Sequence, residues 1–514
     1  MDAKYLEDRE RLIAEDRALR IDTLALAQAT DIEKRAEDIV RQIRADENER
    51  VWGPNAPELP GAQHIFPGMA FLTGSESFLA KETILKTKMF EIVSKMPKGG
   101  VLHVHLDATV DATTLLRIGL KYPAIHVRAP QRVTASSMLS TFPEFAPLPK
   151  SSWTSVASLT GPDYEPGTWV PLKSAMDVFD ATLGGPEGFF KWACTGMTIN
   201  PSEAYGTHNT TDKIWKRFGK TFEIQRGFTR YLPIWKDFVL ALFRHAVSDG
   251  ISYIEARVPF FFKYMFGEDG NETVPHREWL IAYDQVLAEF KEELVAQGRA
   301  EEWVGSKVIY SMRRTVTPEE LEWFLEDCIA LKREFPHLIC GFDLVGHEDP
   351  LQPLIYYIDP LRRFVERQKE EGLDIPFIFH AGETLGDGLP ADMNLYDAIL
   401  LGTKRIGHGF SLVKHPKIMQ VCREREILIE VCPISNEVLP DDPGMFGYMG
   451  VSFDFFQVLV ASNVNGIITM RELAKDGLRF SCLEPEEKAR ALALYDKQWD
   501  AFVDWIVKTR AECA

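Results

Sequence analysis

Residues 100–110 read GVLHVHLDATV, and this stretch decides the fold. It begins as an apolar run of strand type. Side chains alternate along a strand, so His103 and His105 project from the same side with Val104 between them. Two imidazoles on one side are half of a metal site. Taken alone the H-x-H pattern is weak, a structural role accounts for it equally well, and Asp107 two residues on strengthens the metal reading only modestly. Working outward, further runs of strand type fall at Ile251–Val258, Lys307–Met312, Leu338–Leu344, Ile375–Phe379, Arg405–His408 and Ile427–Cys432, separated by longer helical stretches. That alternation is the βα pattern of a parallel sheet with covering helices. An α/β fold is therefore expected.

Two of the later runs also end in groups that can carry chemistry. The fifth continues as IFHAGETLGDG, where His380 follows the strand and Glu383 comes three residues later in a glycine-containing turn. A third metal ligand and a general acid/base candidate thus arrive together. The sixth ends RIGHGF, which places His408 between two glycines that let the backbone approach a ligand closely. A lone histidine there is more often a satisfied core residue. The joint pattern shifts the balance, because His103, His105, His380 and His408 all fall in or at the ends of strands, where barrel enzymes concentrate their catalytic groups.

The ordered set MPKGGVLHVHLDA, GFDLVGHE, FHAGET, RIGHGF, CPISNEVL and DDPGMFG resembles the motifs of adenosine deaminases, from about Tyr5 to Val507. A long insertion after the first strand, a helical N-terminal extension and the segment DKIWKRFGKTF are similar to the adenosine deaminase-related growth factor branch, in its fungal and animal versions. The resemblance implies a TIM-type (β/α)8 barrel and one zinc ion per chain, held by His103, His105, His380 and Asp441. Glu383 would be the proton shuttle to the purine ring and the attacking water, and His408 would orient and stabilise that water. Asp442 would accept a hydrogen bond at the purine, Gly346 would contact it through backbone, and Trp215 and the Glu203 region would border the sugar. The implied reaction is hydrolysis of adenosine or 2'-deoxyadenosine to inosine or 2'-deoxyinosine and ammonia. Zinc lowers the pKa of a water while a nearby Glu delivers protons, and neutral imidazoles with a carboxylate suit this borderline metal.

One segment departs from the family. Asp441 follows Cys432 by only nine residues, with PISNEVLP between them, where the family has a helix and the eighth strand. A crossover between parallel strands needs a dozen or more residues, so the strand 7 to strand 8 segment reads as truncated. A truncated or misjoined gene, a degenerate member and a rearranged barrel all fit, the first two better. A barrel open by one strand would leave an exposed edge. The alternative to the enzyme is then an inactive or weakly active relative that binds nucleoside or a protein partner.

Composition narrows the remaining classes. A formal net charge of -18 repels phosphate backbones and anionic headgroups, which argues against nucleic-acid and membrane partners; the small-molecule nucleoside substrate is what the resemblance implies. Seven cysteines, odd in number and without C-x-x-C spacing, indicate neither a disulfide framework nor a cysteine zinc site. The N-terminus has no apolar segment of signal type, which implies a cytoplasmic protein, with secretion the alternative by family analogy. Residues 1–95 read as an N-terminal helical extension, with one or two amphipathic helices up to about residue 50, and 96–514 as the barrel. Within the barrel, residues of about 125–220 form an inserted loop or subdomain rich in Pro, Ser and Thr between Pro130 and Pro171. By analogy the insertion serves receptor contact or a homodimer; a surface loop is at least as good an account.

Overall fold

The computed structural model describes residues 3–52, 83–199, 210–433, 435 and 450–510. The described strands, in chain order, are β1 (Gly99–Val101), β2 (Ile125–Arg128), β3 (Glu144–Pro147), β4 (Val170–Pro171), β5 (Ile251–Pro259), β6 (Tyr264–Phe266), β7 (Glu272–Pro275), β8 (Gly305–Arg313), β9 (Ile339–Val345), β10 (Ile378–Ala381), β11 (Arg405–His408) and β12 (Leu428–Glu430). Two compact units are distinguished, one of Met1–Gly100, Asp249–Tyr253 and Val451–Ala514, the other of Val101–Ser248 and Ile254–Gly450.

The second unit carries most of the barrel wall. The sheet order is β1-β5-β8-β9, and a parallel bridge from Phe342 to Phe377 leads on to the sheet β10-β11-β12. Neighbours in space are neighbours in sequence among these strands, and helices such as Pro318–Glu334, Ile358–Glu370 and Pro390–Leu400 alternate with them. This is the α/β barrel architecture expected from the sequence. β9, β10 and β11 are buried along their whole length, which is why they read as continuous apolar runs rather than alternating ones.

All seven sequence-derived strands are present, Arg405–His408 with its expected bounds and the others with shifted ends. β1 closes at Val101, yet the chain stays extended and bridges again from His105 to Arg257. Leu102, Val104 and Leu106 are buried while His103 and His105 are partly exposed, so the alternation that put both imidazoles on one side holds. The fifth strand starts at Ile378 rather than Ile375, because Pro376 has no amide to donate and contributes only its carbonyl, to the Phe342 amide at 3.0 Å. The place expected for an eighth strand lies, Pro433 and Ser435 aside, outside the described residues.

The segment after β1 is not merely a loop. β2 pairs antiparallel with both β3 and β4 in a three-stranded sheet, and the Thr211–Thr229 helix lies against β3. Gly227 makes that approach feasible, since a Cβ there would sit 1.9 Å from the Phe145 carbonyl oxygen. Phe145 and Phe228 then pack with ring centroids 4.5 Å apart. The helix so anchored forms one wall of the cavity described below.

The first unit is helical. The N-terminal segment forms three helices, Ala3–Ala18, Thr23–Gln28 and Asp31–Arg50, where periodicity suggested one or two. Thr30 and Glu33 make a capping box that starts the third helix afresh. Glu33 also accepts from Trp499 Nε1 at 2.8 Å and pairs with Arg471, and Arg44 donates to the carbonyls of Leu459, Ser462 and Asn465. No helix among the described residues is long and apolar enough to cross a membrane.

Candidate metal centre and cavity

The register of three adjacent strands builds the floor of the site. His380 of β10 is level with Gly407 of β11, which is level with Glu430 of β12. Gly407 leaves the space that His103 occupies: a Cβ there would lie 2.9 Å from the His103 ring. One residue on, Ala381 is level with His408, whose φ of 61° is unusual for a non-glycine residue and marks a backbone held in place by its surroundings.

The four sequence-predicted histidines meet here. Ring centroids are 4.7 Å apart for His103 and His380, 4.7 Å for His103 and His408, 5.1 Å for His105 and His380, and 5.2 Å for His380 and His408. His105 Nε2 is 3.2 Å from His380 Nε2. Two neutral imidazole nitrogens that close are poor company unless a proton or a cation lies between them. The ligand atoms of His103, His105 and His380 fall within 4.8 Å of one another, and so do those of His103, His408 and Cys432. Cys432 was not singled out by spacing, because its approach depends on how β12 ends. Asp441 and Asp442, the other two carried-over residues, lie outside the described residues, as does Glu203.

A buried ionic network orients the imidazoles. Glu430 accepts at His103 Nδ1 (2.8 Å) and Asp343 at His380 Nδ1 (2.7 Å). A carboxylate at Nδ1 fixes the tautomer and leaves Nε2 as the lone-pair donor, the arrangement found around histidine-ligated metals. Arg257, fully buried, ties the two carboxylates together through contacts of 2.7 Å to each, and Arg405 joins Glu430 to Glu255 at 2.5 and 2.6 Å. Burial alone would push the Asp343 carboxyl up, but the His380 imidazole and the Arg257 guanidinium hold it far below the ordinary carboxylate range. Glu430 is likewise held well below it, against burial, by Arg257, Arg405 and His103. Three carboxylates (Glu255, Asp343, Glu430) against two guanidiniums leave one net negative charge behind the imidazoles. A cation in front of them is thus favoured, and the nitrogen set suits a borderline divalent ion. The residues fit a metal.

Glu383 sits beside this cluster, its carboxylate 3.6 Å from His408 Nε2. Two motifs clip each other to hold it. Glu348 accepts from the Glu383 amide at 3.0 Å, and Thr384 donates to Asp349 at 2.5 Å. Arg314, also buried, faces Glu348 at 3.1 Å and donates to the carbonyls of Leu344 (3.0 Å) and His380.

In front of the cluster lies a cavity of about 570 Å³, within the usual range for small-molecule sites. His105, Asp107, His380, Glu383 and Gly346 line it, as does Trp215. Trp215 stacks on His347 with centroids 4.5 Å apart and planes 10° apart. Burial lowers the His347 pKa, opposed by Asp349 and Asp212, and its Nε2 is buried without a hydrogen-bond partner among the described residues.

A family model described as adenosine deaminase matches residues 199–440. An adenosine deaminase 2-A from Danio rerio is 30% identical over 468 residues, covering 86% of this chain and 86% of that one. The chain belongs to the adenosine deaminase family. An adenosine deaminase 2 from Homo sapiens is 29% identical over 484 residues, covering 89% of this chain and 87% of that one, in agreement with the motif resemblance to the growth-factor branch. Among solved structures, an N6-methyl-AMP deaminase from Arabidopsis thaliana aligns with 79% of this chain and 98% of its own at 14% identity and a TM-score of 0.48. Of the supporting set, Asp343 and Glu348 stand in the motif GFDLVGHE, which carries no hint of their role, while Arg257, Arg314 and Glu430 lie outside the motifs altogether. The available signal was a charge set inside an apolar strand run, as in ISYIEARVP, ICGFDLV and LIE.

Proposed function

We propose that this chain is a zinc-dependent aminohydrolase that converts adenosine or 2'-deoxyadenosine and water into inosine or 2'-deoxyinosine and ammonia. The observation that carries the proposal is the convergence of His103, His105 and His380, two of them with carboxylates at Nδ1, beside Glu383 in a cavity of nucleoside-binding size. Zinc bound there by His103, His105 and His380, with Asp441 as the fourth ligand by resemblance, would lower the pKa of a water toward neutrality. Glu383 would then carry protons: it accepts one from the attacking water and passes it to the purine ring, then takes the proton of the new C6 hydroxyl and delivers it to the departing amine. His408 orients the water, and its Nε2, 3.6 Å from the Glu383 carboxylate, keeps the two groups beside the same reacting position. Gly346, in a left-handed conformation with φ of 115°, offers its backbone to the purine, and by resemblance Asp442 accepts from it. Trp215, braced by His347, borders the sugar.

The first test is turnover of adenosine by metal-stripped and zinc-restored protein. Inosine formation that depends on zinc supports the reading; a folded, zinc-loaded chain that leaves adenosine, 2'-deoxyadenosine, adenine and methylated nucleosides unchanged overturns it. The nine-residue step from Cys432 to Asp441 favours the second reading, a nucleoside- or protein-binding relative with little activity, and that last outcome with retained zinc would support it.

A further inference from the structure

The cavity extends well past the imidazoles. Asp212, Trp215, Gly219, Phe222 and Arg226 of the Thr211–Thr229 helix all line it, recurring three or four residues apart as one helical face does. At 1.5 Å per residue the stripe from Asp212 to Arg226 runs about 20 Å. Its N-terminal end lies at the Trp215–His347 stack, next to Gly346. Its C-terminal end brings Arg226 over the ring of Phe262 at 5.9 Å, just beyond β5, while Arg313 at the end of β8 lies over Phe261 at 5.8 Å. A purine riboside, two fused rings and one sugar, fills only part of such a groove.

The far end has a distinct chemistry. Arg226 and Arg313 are exposed to the cavity, and neither has a carboxylate partner among the described residues. Arg230, over the same Phe262 ring at 3.6 Å, is instead paired with Glu272. Of the acidic groups along the helix, Glu223 is tied to Lys220 at 2.9 Å and Asp212 sits at the opposite end. The platform is fixed, since His276 bridges the Phe262 carbonyl (2.5 Å) and the Asp327 carboxylate (2.7 Å). A guanidinium laid on a phenyl ring keeps the edge of its fork open for a bidentate anion. In a chain of net charge -18, two such groups left uncompensated in one cavity stand out.

We infer that this end is an anion subsite and that the ligand class of the cavity is an adenine nucleoside bearing a phosphate on its sugar. The base lies at the imidazoles and the phosphate meets Arg226 and Arg313. This inference rests on the deaminase reading for the position of the base, and its test reads binding without turnover. Isothermal titration of the zinc-loaded full chain with the product pair inosine and inosine 5'-monophosphate gives the ratio of affinities; parallel assays with adenosine and adenosine 5'-monophosphate give activity. The monophosphate is expected to bind about tenfold or more tightly than inosine, the scale of charge-assisted hydrogen bonds. That preference should shrink as salt screens the charges. Arg226→Gln and Arg313→Gln should each cut it about fivefold, with Arg226→Lys falling between wild type and Arg226→Gln. Equal binding of the two products, or a preference unchanged in the double Gln variant, overturns the subsite. An arginine-dependent preference for the monophosphate in a chain that deaminates neither substrate upholds the subsite and removes the deaminase reading.

Discussion

The two ends of the cavity hold their charges in opposite ways. At the imidazole end, Arg257 and Arg405 are fully buried, both are matched to carboxylates, and Arg257 also donates to the Leu102 carbonyl. At the far end, Arg226 and Arg313 lie exposed on phenyl rings. The difference teaches what each end is for. Matched buried charges fix geometry at the cost of desolvation, which suits groups that must hold a metal and a proton in register. Unmatched exposed guanidiniums cost little to keep and leave affinity for a ligand, which suits discrimination among substrates.

The largest expected effect separates the ends by stability. Arg257→Met strands Asp343 and Glu430 as buried carboxylates without their shared cation, so it should cost about 3–5 kcal/mol in urea unfolding. Arg313→Met should stay within about 0.5 kcal/mol of wild type. Comparable losses in the two variants would break the comparison.

Next, Asp343→Asn keeps the shape but weakens the acceptor at His380 Nδ1, and it should lower metal affinity about 10- to 100-fold by chelator competition. Unchanged affinity would mean that His380 needs no orienting partner.

Glu348→Gln should lower kcat about tenfold while KM stays within about twofold, because the lost ion pair with Arg314 loosens the backbone that aims Glu383 rather than the substrate's own contacts. A rise in KM alone would assign Glu348 to binding. Smallest of all, Trp215→Ala removes an aromatic platform worth about 0.5–1.5 kcal/mol, and KM for adenosine should rise roughly 2- to 10-fold with kcat nearly retained.

The same contrast explains what could be read from the sequence. The parallel strands were legible because burial on both faces writes an unbroken apolar run, and the histidines because each follows such a run. Asp343, Glu430, Arg257 and Arg314 were not, since a charge inside an apolar strand gains meaning only once its partner from another strand is known. Arg257 meets Glu430 across 173 residues of sequence. The sheet β2-β3-β4 was illegible for a different reason: its strands are two to four residues long, too short for a period-2 pattern to stand out in a Pro- and Ser-rich segment. The residues that decide whether the segment after Cys432 delivers Asp441 lie outside those described.

The central claim, that Glu383 is the proton carrier of a metal-dependent deamination, is tested most directly by measuring zinc content and adenosine turnover together in wild type and Glu383→Gln. The account predicts one zinc per chain in both, with kcat lowered about 100-fold or more in the variant, since positioned acid–base groups contribute on the order of 10²–10⁴. Turnover that survives in a zinc-loaded Glu383→Gln protein would contradict it.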